Sequence, residues 1–354
     1  MISAKKRYSN FELLRILSMC MIILIHFASA TDLNNFGLNE TLGSIIGGSI
    51  VGICNIGVTC FGIISGYFGI KFSLEKLLKM EIMMVMYSLL ETLILWLVFP
   101  DEMQGAVLIE QLIKSFFPFV SRKYWFYSCY ICLFFFSGYI EKFVDSQKKE
   151  ELQKFIELSL LIFSVFPTIF YFEIMQDSGK GLIQMITVYI IGRYIRKYKD
   201  IHVNTLKAVL LFTILWYVNT ISIMYPIRFG SITHSLCRDN SITNITMAIL
   251  LFYIFKNIKI SSRLINMLTA NMFAVFALEN TFANVLAKMV DYKRFSISNE
   301  VLGLFLLLAI TTLILAICLC IGKIREFVFS KPEAMIISTV SKSKFISRFH
   351  IFQR

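Results

Sequence analysis

Apolar runs of about 20 residues, the length that crosses a bilayer as a helix, recur along the whole chain with short polar segments between them. They fall near 11–30, 45–70, 80–99, 124–140, 155–172, 181–195, 208–226, 242–256, 265–287 and 301–322. The pattern predicts an all-α, polytopic membrane protein with ten transmembrane helices. Residues 1–322 would form the membrane domain. Residues 323–354 would form a basic cytoplasmic tail, whose Phe345, Ile346, Phe349, Ile351 and Phe352 alternate with basic positions as in a segment lying at the membrane interface. Polar loops of some length are expected only at 31–44 and 100–123, both outside.

The basic residues fix the orientation. With the N-terminus in the cytoplasm, 25 of the 35 lysines and arginines fall in inner segments and nine in outer ones, and Arg15 lies within the first helix. This is the asymmetry of the positive-inside rule. A miscounted helix would reverse every later loop and mix the two classes, so both termini are expected in the cytoplasm.

Composition agrees: 57% of the 354 residues are hydrophobic and mean hydropathy is +0.70, above the roughly 45–50% apolar usage of soluble domains. The net charge of +12 is then accounted for by the inner loops, and no nucleic-acid partner is implied. Lys5-Lys6-Arg7, an apolar run and Ala28-Ser29-Ala30 have the outline of a secretory leader. The apolar core of such a leader spans about 7–15 residues and lacks internal charges, so this run is read as the first helix. Seven of the eight cysteines fall within helices, and Cys129-x-x-Cys132 reads there as two small apolar residues rather than a metal or redox site. No metal site is expected.

Charges inside the apolar runs are the candidate chemistry. Arg15 and His26 on the first helix are eleven residues apart, which at about 100° and 1.5 Å per residue puts them on one face, about 16 Å apart in height. Met19 and Ile22 lie between them on that stripe, where they would wall the two polar groups apart. Arg15 sits near the inner end, where it can snorkel to headgroups or bind an anion. His26 is too deep to reach the inner surface, so it either bonds a neighbouring helix or faces a cavity where it works. Glu91 and Glu279 lie mid-helix, as interhelical hydrogen-bonding groups or as catalytic ones.

Asn10-Phe-Glu-Leu-Leu-Arg15 followed by Ile25-His26 resembles the opening of the acyltransferase-3 family of membrane proteins. "CFGIISGYF" (Cys60–Phe68) is similar to that family's second-helix motif, and "YWFYSCYICLFFFSGYIEKF" (Tyr124–Phe143) to its Trp-Phe opening of the fourth helix. Where members often carry Arg-x-x-Arg after helix two, this chain has Lys76-Leu-Leu-Lys79. Where many carry a late histidine, it reads "VFALENTF", with Glu279-Asn280.

The resemblance implies a multi-pass enzyme of a bacterial cell membrane that moves an acyl group, usually acetyl from acetyl-CoA, to a hydroxyl of a cell-surface or exported polysaccharide. It implies Arg15 and His26 as the essential pair. On that reading His26 suits a general base, its ordinary pKa lying near working pH. Arg15, oriented by Glu12, would bind the phosphates of CoA together with Lys71, Lys76 and Lys79. Arg122, Tyr124, Trp125 and Tyr127 would meet the glycan or lipid-linked glycan acceptor, although aromatics at that depth equally anchor a helix among membrane lipids. The rival reading is a non-catalytic transporter, flippase or polymerase-like handler of lipid-linked glycans. Such proteins commonly show matched broken helices in their two halves, and the prolines and glycines here do not recur that way.

Overall fold

The structure, a computed structural model, describes residues 8–31, 42–171, 173–198, 202–225, 227–229, 232–290 and 300–341. It is helical apart from one antiparallel pair of three-residue strands, β1 (Ile227–Phe229) and β2 (Ile232–His234). The helices are α1 (Ser9–Ala30), α2 (Leu42–Cys54), α3 (Gly57–Phe68), α4 (Leu74–Val98), α5 (Ala106–Phe116), α6 (Trp125–Ser146), α7 (Lys149–Leu160), α8 (Phe166–Phe170), α9 (Leu182–Lys197), α10 (Thr205–Met224), α11 (Ile242–Asn257), α12 (Arg263–Leu268), α13 (Met272–Met289) and α14 (Glu300–Ser341).

Each expected apolar run is mainly helical over its described residues, with corrections. The second is broken at Asn55 into α2 and α3. The fifth passes from α7 to α8 through one wide turn, Leu161–Val165, and the ninth through a tight turn, Thr269–Asn271, into α13. The segment 100–123, expected as an outer loop, is not a plain loop, since it contains α5. The tenth helix does not stop at 322. It continues without a break to Ser341 and takes up much of the expected tail, whereas the five apolar tail residues from Phe345 to Phe352 lie outside the described residues.

Among the described residues, six helical segments are long and apolar enough to cross a membrane: Ser9–Ala30, Gly47–Phe68, Leu74–Val98, Lys149–Phe170, Thr205–Met224 and Leu302–Ser341. The others are interrupted by polarity or length. α6 carries Glu141, Lys142 and Asp145 in its second half. α9 and α11 have 16 residues each, and α13 carries Glu279, Asn280 and Lys288.

Helix α1 is the centre of the bundle, packed against α13, α3, α2 and α14. Helices α3 and α9 pack closely against each other. A Cβ built on Gly66 would overlap the carbonyl oxygen of Tyr189, so only glycine lets the two backbones meet there. The "CFGIISGYF" motif therefore has a packing role: it brings α3 against α9 and lets Cys60, Ile63 and Ile64 fill a core with Leu14, Val188 and Phe252.

Polar contacts tie the helix ends into two groups. Asn10 Nδ2 donates to the Phe255 carbonyl at 3.0 Å, Lys197 Nζ to that of Val144 at 2.6 Å, and Asn257 Nδ2 to that of Val203 at 3.2 Å. Elsewhere, Arg122 donates to the Lys180 carbonyl at 3.1 Å, Arg238 pairs with Glu173 at 2.5 Å, and Lys288 donates to the Val98 carbonyl at 2.9 Å. Each contact in the first group joins two segments that the charge count puts inside. Each in the second joins two that it puts outside.

Candidate active site

A cavity of about 430 Å³ runs along α1, and both Arg15 and His26 line it. Met19 and Ile22 form part of its wall between them, so they border the space that joins the two polar groups rather than closing it. The rest of the lining includes seven aromatic residues, Phe61, Trp125, Phe126, Tyr127, Tyr130, Phe273 and Phe276. An apolar cavity with a few convergent polar groups is the usual form of a small-molecule site.

At one end, Arg15 pairs with Glu12 at 2.7 Å, one turn earlier on α1, and lies over the ring of Phe68. Further along, His26 Nδ1 lies 2.6 Å from Glu279 Oε1 on α13. The imidazole is 39% accessible, whereas the carboxylate is only 3% accessible. Glu279 also lines the cavity but is the more deeply buried of the two. An ionised Glu279 accepts a hydrogen bond from Nδ1–H, which leaves Nε2 with its lone pair free to take a proton. A carboxylate behind a histidine in this way fixes the ring and stabilises the imidazolium that proton transfer creates.

The other expected site residues divide. Trp125 and Tyr127 line the cavity. Glu91 does not: it accepts from the Tyr124 hydroxyl and pairs with Lys123 at 3.3 Å. Lys123, 7% accessible, also donates to Thr92 and to Ser115 at 2.9 Å each. This cluster fastens α5 and the start of α6 to α4, and burial draws the Lys123 ammonium below the usual lysine range. Tyr124 is committed to that clamp, and Arg122 to the Lys180 carbonyl. Lys71, Lys76 and Lys79 are exposed and do not line the cavity.

Two charged residues that the sequence reading did not single out do line it: Lys180, just before α9, and Asp239, just before α11. Asp239 is 6% accessible. Burial pushes its carboxyl up to about 6, opposed by the charge of Lys180, raised further by Asp177, and opposed again by His26. Both sit in polar segments just ahead of a helix, where a lysine or an aspartate is ordinary, so only tertiary contact marks them out.

The profile of the acyltransferase-3 family, described as an acyltransferase domain, matches residues 8–321. It spans α1 to the middle of α14 and holds every cavity residue named above, and the chain belongs to that family: it is a membrane acyltransferase. No curated protein and no solved structure matches it.

Proposed function

We propose that the protein transfers an acetyl group from cytoplasmic acetyl-CoA to a hydroxyl of a cell-surface or exported polysaccharide, working as a ten-span protein of a bacterial cell membrane with both termini inside. One observation carries the reading: a single cavity joins Arg15 near the inner end of α1 to the His26–Glu279 pair eleven residues further along. CoA is polyanionic and cannot cross lipid, whereas a surface glycan is finished outside. A passage between the two ends lets a thioester enter past a guanidinium and meet a hydroxyl near a base. The sorting of polar contacts into an inner and an outer group supports the ten-span orientation.

In the proposed reaction Nε2 of His26 takes the proton of the acceptor hydroxyl while its oxygen attacks the thioester carbonyl. The C–S bond breaks, the thiolate of CoA leaves, and the proton passes from the imidazolium to that sulfur. Glu279 holds the ring through Nδ1 and balances its transient charge. Arg15 gives charge-assisted hydrogen bonds to phosphate.

The test is release of free CoA from labelled acetyl-CoA by the purified protein in nanodiscs, with and without unacetylated polysaccharide. Glycan-dependent release that His26→Gln abolishes is the expected result. Release that is indifferent to glycan, or equal in His26→Gln, would overturn the reading.

A further inference from the structure

The turn between β2 and α11 holds a buried carboxylate with nothing bonded to it. Asp239 lines the cavity, and among the described residues its carboxylate oxygens have no hydrogen-bond partner. The other charged groups on the cavity wall except Lys180 each have a charged partner, Arg15 with Glu12 and His26 with Glu279, although Glu279 Oε2 is itself unbonded. A buried ionisable group left without partners costs stability unless something else supplies them.

The turn is also built to hold that carboxylate still. Gln184 Nε2 donates to the Asp239 carbonyl at 3.2 Å, and Ser164 Oγ to that of Asn240 at 2.6 Å. Asn55, at the break between α2 and α3, donates to the Cys237 carbonyl at 2.5 Å, and Asn244 Nδ2 to that of Arg238 at 2.9 Å. The Arg238 side chain is clamped by Glu173 and the Pro167 carbonyl. Gly179, at φ +83°, backs onto Asn240 so closely that a Cβ there would overlap its backbone nitrogen. These contacts fix the turn on either side of Asp239, whose own side chain they leave unbonded.

We propose that Asp239, assisted by Lys180, is the acceptor subsite and selects a neutral, hydroxyl-rich sugar; this rests on the transferase reading above. An ionised carboxylate offers only acceptor positions, about four of them, and neighbouring sugar hydroxyls supply donors for several at once. Lys180, which offers only donors, meets the sugar's oxygens. Its charge offsets that of Asp239, so a neutral ring leaves the pair balanced. A uronic acid or phosphate-bearing sugar would instead bring a second anion against Asp239. Trp125 and Phe276, which also line the cavity, give the apolar face of the ring a surface to lie on. The hydroxyl to be acylated is then held in the cavity that His26 also lines.

The experiment uses the protein in nanodiscs, labelled acetyl-CoA, and polysaccharide from cells lacking this protein, with the labelled sugar identified after hydrolysis. The label is expected on a neutral sugar. Asp239→Asn should raise the half-saturating acceptor concentration about 10- to 100-fold, the loss of a charged hydrogen-bond acceptor, and leave that of acetyl-CoA unchanged. Lys180→Gln, at an exposed position, should shift it in the same direction, and it decides the matter if Asp239→Asn does not yield monodisperse protein. Label on an anionic sugar, or acceptor half-saturation unmoved in the variant that folds, would overturn the subsite while leaving the transferase standing. No label on any glycan with wild-type protein would overturn the transferase reading and this inference with it.

Discussion

Glu279 Oε1 lies 2.6 Å from His26 Nδ1, across two helices that are far apart in sequence. If the carboxylate works through the ring, Glu279→Gln keeps the shape and a hydrogen bond but loses the charge that steadies the imidazolium. The turnover rate should fall by about two to four orders of magnitude, the usual worth of a positioned acid–base group, with little change in acetyl-CoA half-saturation. His26→Gln combined with Glu279→Gln should be no worse than His26→Gln alone, because the two act as one unit. Steady-state rates of the three variants, normalised to folded protein, check this. Multiplying losses would show that Glu279 acts by itself.

Arg15 and the lysines expected beside it should separate. Arg15 lines the cavity, and Lys71, Lys76 and Lys79 do not. If Arg15 meets a phosphate of CoA as proposed, Arg15→Ala removes a charge-assisted contact worth about 1.5–3 kcal/mol, and half-saturation by acetyl-CoA should rise about 10-fold or more. Arg15→Lys should recover part of that, since a point charge replaces a fork. Alanine at each of the three lysines should shift it by less than Arg15→Ala does. Titration of acetyl-CoA against each variant reads the order directly.

Much of the fold could be read from the chain because lipid leaves the backbone few options: a long apolar run has to be a helix. What escaped was set by contacts across the fold. A single polar residue, Asn55, divides an otherwise apolar run, and its partner is the Cys237 carbonyl, 182 residues away. Helix α5 was hidden by its small size, although "AVLIEQLIKSF" carries the helical spacing of apolar residues that could have found it. At the site, Arg15 and His26 stood out because charge on an apolar helix is costly. Glu279 stood out for the same reason, but not its choice of partner. Asp239 and Lys180 could not stand out at all, since nothing local distinguishes a buried turn from an exposed one.

Glu91 should matter for folding rather than for chemistry. Glu91→Gln leaves the Lys123 ammonium buried without its counter-charge, and breaking such a pair costs about 3–5 kcal/mol. Folded yield and thermal midpoint in detergent should drop. Glu91→Gln with Lys123→Met removes both charges and should recover much of the loss. Molecules that do fold should keep near wild-type turnover. A well-folded Glu91→Gln protein without activity would return Glu91 to the catalytic set.

Two glycines in long helices make a matched pair. Gly66 on α3 faces the backbone of Tyr189 so closely that any Cβ collides with it, whereas a Cβ on Gly138 of α6 meets nothing within 4 Å. Gly66→Ala should therefore push α3 away from α9, at an overpacking cost of about 1–3 kcal/mol. Because Phe61 and Ser65 on α3 line the cavity, activity should fall along with stability. Gly138→Ala has room for its methyl and removes a flexible residue from a helix interior. It should be neutral or stabilising by up to about 1 kcal/mol. Thermal unfolding of the two variants side by side is the measurement. Equal effects from both would mean that α3 and α9 do not meet as described.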